Sequence, residues 1–161
     1  ACNTSAGAAA IMQAIKNSRF APSSDMEDVN WWKDKNCKSL LPLTCSKCGF
    51  APSNCTVDKF MLRRSAECWC NNQARWNTPQ GTQRLLSLIS SSRFSLVVQP
   101  RVETLSCNTV LLIKCSVCQH EPRSCLLRHF KETLSAACWC NGQAPYAGPE
   151  GHKRVLQMLH E

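Results

Sequence analysis

Nothing in the sequence approaches the ~20 consecutive apolar residues that a bilayer-spanning helix needs, so no membrane partner is expected. Ser/His/Asp sets, HExxH and phosphate-loop patterns are also missing, and the sequence is read as that of a non-enzyme with no small-molecule substrate. The opening, Ala1-Cys2-Asn3-Thr4-Ser5-Ala6-Gly7, lacks the charged-then-apolar pattern of a leader and an initiator Met. The chain is therefore read as processed, or as a piece of something longer. Acidic residues are few, 11 against 19 Lys and Arg, which leaves a formal charge of +8. Residues 1–91 carry +5 of it and residues 92–161 carry +3, so neither half is an acidic partner domain for the other. A basic balance of this kind suits an anionic partner, most often nucleic acid.

Aliphatic and aromatic side chains are thinner than the 43% hydrophobic content suggests, because that figure counts 13 cysteines. A half-chain of roughly 70–80 residues gains only a few kcal/mol from its core and usually needs a staple. Cysteine supplies one, as metal ligand or as disulfide according to compartment.

A repeat organises these cysteines. Shifting residues 37–90 by 70 lays Cys37, Cys45, Cys48, Cys55, Cys68 and Cys70 on Cys107, Cys115, Cys118, Cys125, Cys138 and Cys140, leaving Cys2 over. Pro52, Phe60, Pro79, Gly81, Arg84 and Leu86 likewise meet Pro122, Phe130, Pro149, Gly151, Arg154 and Leu156, and Cys-Trp-Cys-Asn recurs at 68 and 138. Ser18-Arg19-Phe20 recurs as Ser92-Arg93-Phe94 at a shift of 74. The N-terminal helix then reads as the tail of an earlier, truncated copy, and the chain as a slice of an array. The division expected is 1–36 as an N-terminal helical segment, 37–106 as one module with its connecting helix and strand, and 107–161 as the second.

Apolar runs at Leu40–Thr44 and Val110–Lys114 predict strands leading into Cys-x-x-Cys. Helical spacing predicts short helices over Thr56–Arg64 and Leu126–Leu134, and longer ones over Ala8–Lys16, Arg84–Ser90 and Lys153–His160. A strand is expected at Phe94–Val98. The capping-box pattern Ser24–Glu27 predicts an inserted helix through Trp31 and Trp32. The fold class expected is a small α+β, zinc-stabilised one: two tandem modules, each a β-hairpin with a cysteine knuckle followed by a helix.

Cys45, Cys48, Cys68 and Cys70 are spaced Cys-x2-Cys, nineteen residues, Cys-x-Cys, and Cys115, Cys118, Cys138 and Cys140 repeat that spacing. Zinc prefers a tetrahedron of four thiolates, and two close pairs brought together supply it. Two Zn2+ per chain are expected, with disulfides and buried free thiols as the competing readings. Because the second pair is Cys-x-Cys, Cys55 or Cys37 could stand in as fourth ligand. His120, His129 and His152 face Phe50, Lys59 and Thr82 across the repeat, which argues against a shared histidine ligand. Cys37 and Cys55, with Cys107 and Cys125, are expected nearly opposite each other across the hairpin. Their readings are a buried reduced pair, a disulfide, or extra ligands.

The order of strand, Cys-x-x-Cys, short excursion, cysteine pair, Gly-containing loop and Arg/Leu helix resembles the treble-clef zinc modules found beside bacterial and phage endonucleases. The matching helix starts here are Pro79-Gln80-Gly81-Thr82-Gln83-Arg84 and Pro149-Glu150-Gly151-His152-Lys153-Arg154. The resemblance covers about 37–98 and 107–161 and implies modules that bind DNA or support a nuclease. Cys-Trp-Cys departs from the family pattern. No carboxylate constellation follows the helix, so the nuclease is not implied.

In an array the framework repeats and the contacts vary. Asp58-Lys59 faces Arg128-His129, Arg63-Arg64 faces Thr133-Leu134, Ser53 faces Arg123 and Met61 faces Lys131. The candidate nucleic-acid contacts are therefore Lys59, Arg63, Arg64, Arg123, Arg128, His129 and Lys131, with Arg75 beside the loop aromatic Trp76 and the repeated Arg84 and Arg154. Solvated helix faces would give the same pattern. Trp69 and Trp139 are expected to shield the metal, and Trp76 and Tyr146 to lie over the small core. The reading preferred is a zinc-dependent array that binds nucleic acid, double-stranded DNA first, in an intracellular setting and in the nucleus if the source is eukaryotic. A zinc-stapled protein-interaction module and a secreted disulfide-rich protein are the alternatives.

Overall fold

The computed structural model describes residues 3–160, and the chain forms two compact units, Ala1–Ala74 and Arg75–Glu161. Each is a small α+β body of short antiparallel strand pairs and helices. Cys2 lies outside the described residues.

The first unit opens with α1 (Ser5–Lys16), whose first turn is capped by the Thr4 hydroxyl accepting from the Gly7 N–H at 3.1 Å. Ser18 then turns the chain. Its hydroxyl donates to the Ile15 carbonyl at 2.7 Å and accepts from the Phe20 N–H at 3.1 Å. The strand β1 (Phe20–Pro22) follows and pairs with β2 (Leu43–Cys45), with Phe20 opposite Cys45. After the cysteine turn, α2 (Val57–Arg63) lays Phe60 edge-on to Phe20, ring centroids 6.2 Å apart. Ile11, Ile15, Phe20, Leu43 and Phe60 are all buried and form the centre of this unit.

The second unit repeats the plan. It begins with α3 (Pro79–Ser90) and β3 (Phe94–Leu96), and the strands β4 (Val110–Leu111) and β5 (Ile113–Cys115) follow. Then come β6 (Cys125–Leu126), α4 (Leu127–Thr133) and α5 (Pro149–Met158). β3 pairs with β5, Phe94 opposite Cys115, and β4 pairs with β6. Ser92 makes the same turn as Ser18, donating to Ile89 O at 2.8 Å and accepting from Phe94 N at 3.1 Å. Phe94 and Phe130 are edge-on at 5.9 Å.

Several expectations shift. The helices at 79 and 149 begin at their prolines rather than after the Pro-Gly loop. Proline suits a first helical position because its missing N–H has no partner to lose there. The strand expected at Leu40–Thr44 is confined to Leu43–Cys45, with Leu40 only bridging Thr56. Ser24–Glu27 and Val29–Trp32 form two 3-10 turns, not one helix. Asp28 ends the first turn and caps the second through Asn30, while the Trp32 indole N–H reaches back to the Met26 carbonyl at 2.9 Å. The compact units divide after Ala74, not at 36/37 and 106/107. The helix and strand at 79–96 pack with the cysteine turn that follows them, because Phe94 pairs with Cys115 and Leu85 and Ile89 join that core.

Candidate metal centres

Each cysteine tetrad is assembled from two local pieces. In the first, β2 delivers Cys45 and a tight turn delivers Cys48. Gly49 takes φ +70°, its N–H bonds to the Cys45 carbonyl at 2.8 Å, and the Cys45 N–H bonds to Phe50 O at 2.8 Å. In the second unit Gln119 holds the same left-handed position at φ 61°, with matching bonds of 2.9 Å between Gln119 N and Cys115 O and between Cys115 N and His120 O.

The other pair sits on a 3-10 turn, Trp69–Asn71 or Trp139–Asn141. An asparagine fixes each turn. The Asn71 side chain accepts from Cys68 N at 3.0 Å and donates to Ala66 O at 2.8 Å, while its backbone N–H donates to the Cys68 sulfur. Asn141 does the same for Cys138, at 3.0 and 2.9 Å. This is a capping box whose N-cap is a thiol of the tetrad. Asn71→Ala or Asn141→Ala is expected to weaken metal binding at its own tetrad by roughly 10–100-fold, the usual effect of removing a group that orients a ligand. A chelator competition read unit by unit checks this.

The result is two sets of four sulfurs, Cys45, Cys48, Cys68 and Cys70, and Cys115, Cys118, Cys138 and Cys140, each with all ligand atoms within 4.8 Å of one another. Cys45 and Cys70 sulfurs are 4.0 Å apart, and Cys115 and Cys140 sulfurs 3.9 Å. A tetrahedron with Zn–S of about 2.3 Å has edges of about 3.8 Å, so each set could hold one such ion with little movement.

The thiols are not equivalent. Burial raises Cys48, but the Phe50 N–H and the Cys45 and Cys70 groups outweigh it and bring its pKa down to about 7. Burial likewise opposes, and the His120 and Cys140 N–H groups overcome, a shift of Cys118 down to about 6. Cys70 is pushed up to about 12 by burial and by Cys48, and Cys140 to about 12 by its bond to Cys118 and by burial. One sulfur in each tetrad is thus ready to ionise near neutrality. A divalent ion has to expel the other protons, so metal affinity rises with pH.

The remaining cysteines stand apart from both sets, and the described ones are free thiols. Cys55 and Cys125 are buried, and burial raises each thiol to about 11. Cys37 and Cys107 are exposed. They do not lie opposite Cys55 and Cys125. Leu41 bonds to Cys55, whereas the Cys37 carbonyl accepts from Asp58 N and the Cys107 carbonyl from Arg128 N, each at 2.9 Å, at the start of the short helix.

Trp69 packs edge-on to Phe50 at 5.1 Å, and Trp139 lies between His120 at 4.6 Å and Tyr146 at 6.3 Å. Trp76 is half-buried against the second core, and Tyr146 is exposed. Among the candidate contacts Lys59, Arg63, Arg64, Arg75, Arg123, Arg128 and His129 are exposed, while Arg84, Lys131 and Arg154 are half-buried. Arg128 bonds to Asn108 at 3.2 Å and to His129 at 3.3 Å. The same place in the first unit holds a Lys38–Asp58 ion pair at 2.8 Å, which keeps the Asp58 carboxyl well below the usual range. Arg123 and His129 share the lining of a cavity of about 560 Å³ with Trp139 and Glu150.

Sequence reasoning missed the two asparagines and the Thr78 cap, whose hydroxyl accepts from Gly81 N at 3.1 Å. Their signals were present, as Cys-Trp-Cys-Asn twice and Thr-x-x-Gly at 4 and 78. Compared with protein-family models, curated proteins and solved structures, the chain matches none.

Proposed function

We propose that the tetrads are structural zinc sites of treble-clef type and that the chain is a repeat protein that binds nucleic acid, with double-stranded DNA the preferred partner. The observation that carries the zinc reading is the twofold recurrence of four sulfurs that all lie within 4.8 Å of one another. Four thiolates complete zinc's tetrahedron and leave no position for a catalytic water, so no enzymatic role is assigned to either set. The reading goes with a reducing, intracellular setting.

Nucleic-acid binding is supported by charge and by its distribution over a fixed framework. Two zinc tetrathiolates, each of net −2, reduce +8 to +4. The chain stays basic. Framework positions hold the metal, the short helix α2 and its C-cap present exposed Lys59, Arg63 and Arg64, and α4 presents exposed Arg128 and His129. Their charge differs from one unit to the other, as base-reading or phosphate-contacting positions would.

The test is binding to a DNA duplex library across a salt series, with Arg63→Gln/Arg64→Gln beside the parent chain. Binding should weaken steeply with salt, and the double variant should flatten the log–log slope by about 1 for each phosphate it no longer neutralises. Equal affinity and slope in parent and variant would refute the assigned contacts. A second reading, a zinc-stapled protein-interaction module, is favoured by the exposed Val97, Val98, Val110 and Leu112 around the strands of the second unit. The first-unit counterparts of three of them are Ser23, Ser24 and Pro42. Salt-insensitive behaviour with no nucleic-acid binding would select that reading.

A further inference from the structure

Three helices hold equivalent places in the repeat. α1 maps on α3 at a shift of 74 and α3 on α5 at a shift of 70. Ile11, Ala14 and Ile15 of α1 are 3%, 7% and 0% exposed, and their counterparts Leu85, Leu88 and Ile89 of α3 are 1%, 6% and 8% exposed. In both cases the cover is the strand pair and cysteine turn that come next in the chain. Phe20 and Leu43 complete the first core, and Phe94 and Ile113 the second.

The third helix keeps the apolar face without the cover. Val155, Met158 and Leu159 are 38%, 52% and 75% exposed. The opposite face is an internal control, because Leu86 and Leu156 are exposed alike, at 43% and 48%. The start of α5 is also seated as α3 is. Gly151 is buried against the Tyr146 carbonyl as Gly81 is against that of Trp76. Only the face that α1 and α3 use for the following knuckle is left open.

We propose that α5 is the opening helix of a third unit, and that Val155, Met158 and Leu159 seat the strand pair and Cys-x-x-Cys turn of a further cysteine tetrad carried by polypeptide continuing past α5. The covering partner is taken to be in the same chain because of the connection seen twice. Ile15 and Ile89 are each joined to the core phenylalanine of the next strand by one serine turn, Ser18 or Ser92. The metal readout below rests on the zinc reading of the tetrads; nothing here depends on nucleic-acid binding.

The test extends the chain past Glu161 with a second copy of its own residues 92–144, which places α5 where α3 stands. Zinc per chain and amide exchange of residues 155–159 are measured together in the extended and the parent chain. A rise from two zinc ions to three is expected, with exchange at 155–159 slowed at least about tenfold. Val155→Asp/Leu159→Asp should return the count to two. A version in which residues 79–90 replace 149–160 controls for the appended segment. Three ions in that version but two behind α5 would overturn the proposal, as would unchanged exchange at 155–159. Empty first and second sites in the same samples would instead mark failure of the zinc reading, and the exchange measurement would still decide the proposal.

Discussion

Cys115→Ser is expected to lower the zinc content from two ions per chain to one and to unfold the strand and cysteine turn of the second unit. Cys115 is fully buried, and its sulfur lies 3.9 Å from that of Cys140. A serine there keeps its proton at neutral pH and cannot serve as a thiolate ligand. Structural zinc contributes roughly 10–16 kcal/mol in small zinc-finger peptides, against the roughly 5–15 kcal/mol that holds a whole domain together. The unit's own core, Leu85, Ile89, Phe94, Ile113 and Phe130 at its centre, is small and cannot replace that contribution. Cys107→Ser is the matched control. Its thiol is exposed and outside the tetrad, so the count should stay at two. Acid should act as the mutation does. Cys118 and Cys48 hold their thiolates down to about pH 6 and 7, and as the pH falls through those values protons compete with the metal at every ligand. Both thiols are lowered from the ordinary value of 9.0, so their contribution to stability is full above about pH 9 and is lost as the pH falls through about 7 and 6. Elemental analysis after gel filtration, with circular dichroism across pH, checks both statements.

Gly81→Ala is expected to destabilise the second unit by roughly 3 kcal/mol, the upper range for overpacking a close contact. For a unit of this size that lowers the melting temperature by roughly 10 °C or more. A Cβ at Gly81 would lie 2.0 Å from the Trp76 carbonyl oxygen, and at Gly151 2.2 Å from that of Tyr146. Both obstacles are backbone, so the helix itself has to move, and α3 would lift Leu85 and Ile89 off Phe94. Helix propensity alone favours alanine by about 1 kcal/mol, so the sign of the change separates the two effects. Gly142→Ala meets nothing within 4 Å and carries only the cost of φ +69°, about 1–2 kcal/mol. Thermal unfolding of the two zinc-loaded variants gives the order.

The tetrads were legible because their determinants are local and chemical. Cys-x2-Cys and Cys-x-Cys each bring two sulfurs together through a single turn, and a repeat at 70 exposes which cysteines belong to the framework. The short helices were legible from Phe60 and Phe130 at apolar spacing. The unit boundaries were not. Only eight loop residues separate Cys-Trp-Cys from Pro79 or Pro149, so adjacency in sequence suggested that the helix belongs to the cysteines before it. The Ser-Arg-Phe match at a shift of 74, not 70, already carried the other answer, since it ties that helix to the strand after it. Trp31 and Trp32 misled in a different way. A capping-box pattern specifies a helix start but not its length, and Asp28 reopened the cap after one turn. Contact residues are the least legible, because an exposed arginine on a short helix looks the same with or without a phosphate in front of it.

The most direct test of the central claim counts zinc and reactive thiols on one native preparation never exposed to chelator. Two zinc ions per chain are expected, with Cys37 and Cys107 labelled at once and the eight tetrad cysteines labelled only after chelation and denaturation. A chain with no metal and at most one thiol that reacts even after denaturation would have twelve of its 13 cysteines paired as disulfides, and the zinc modules and the nucleic-acid reading built on them would fall together.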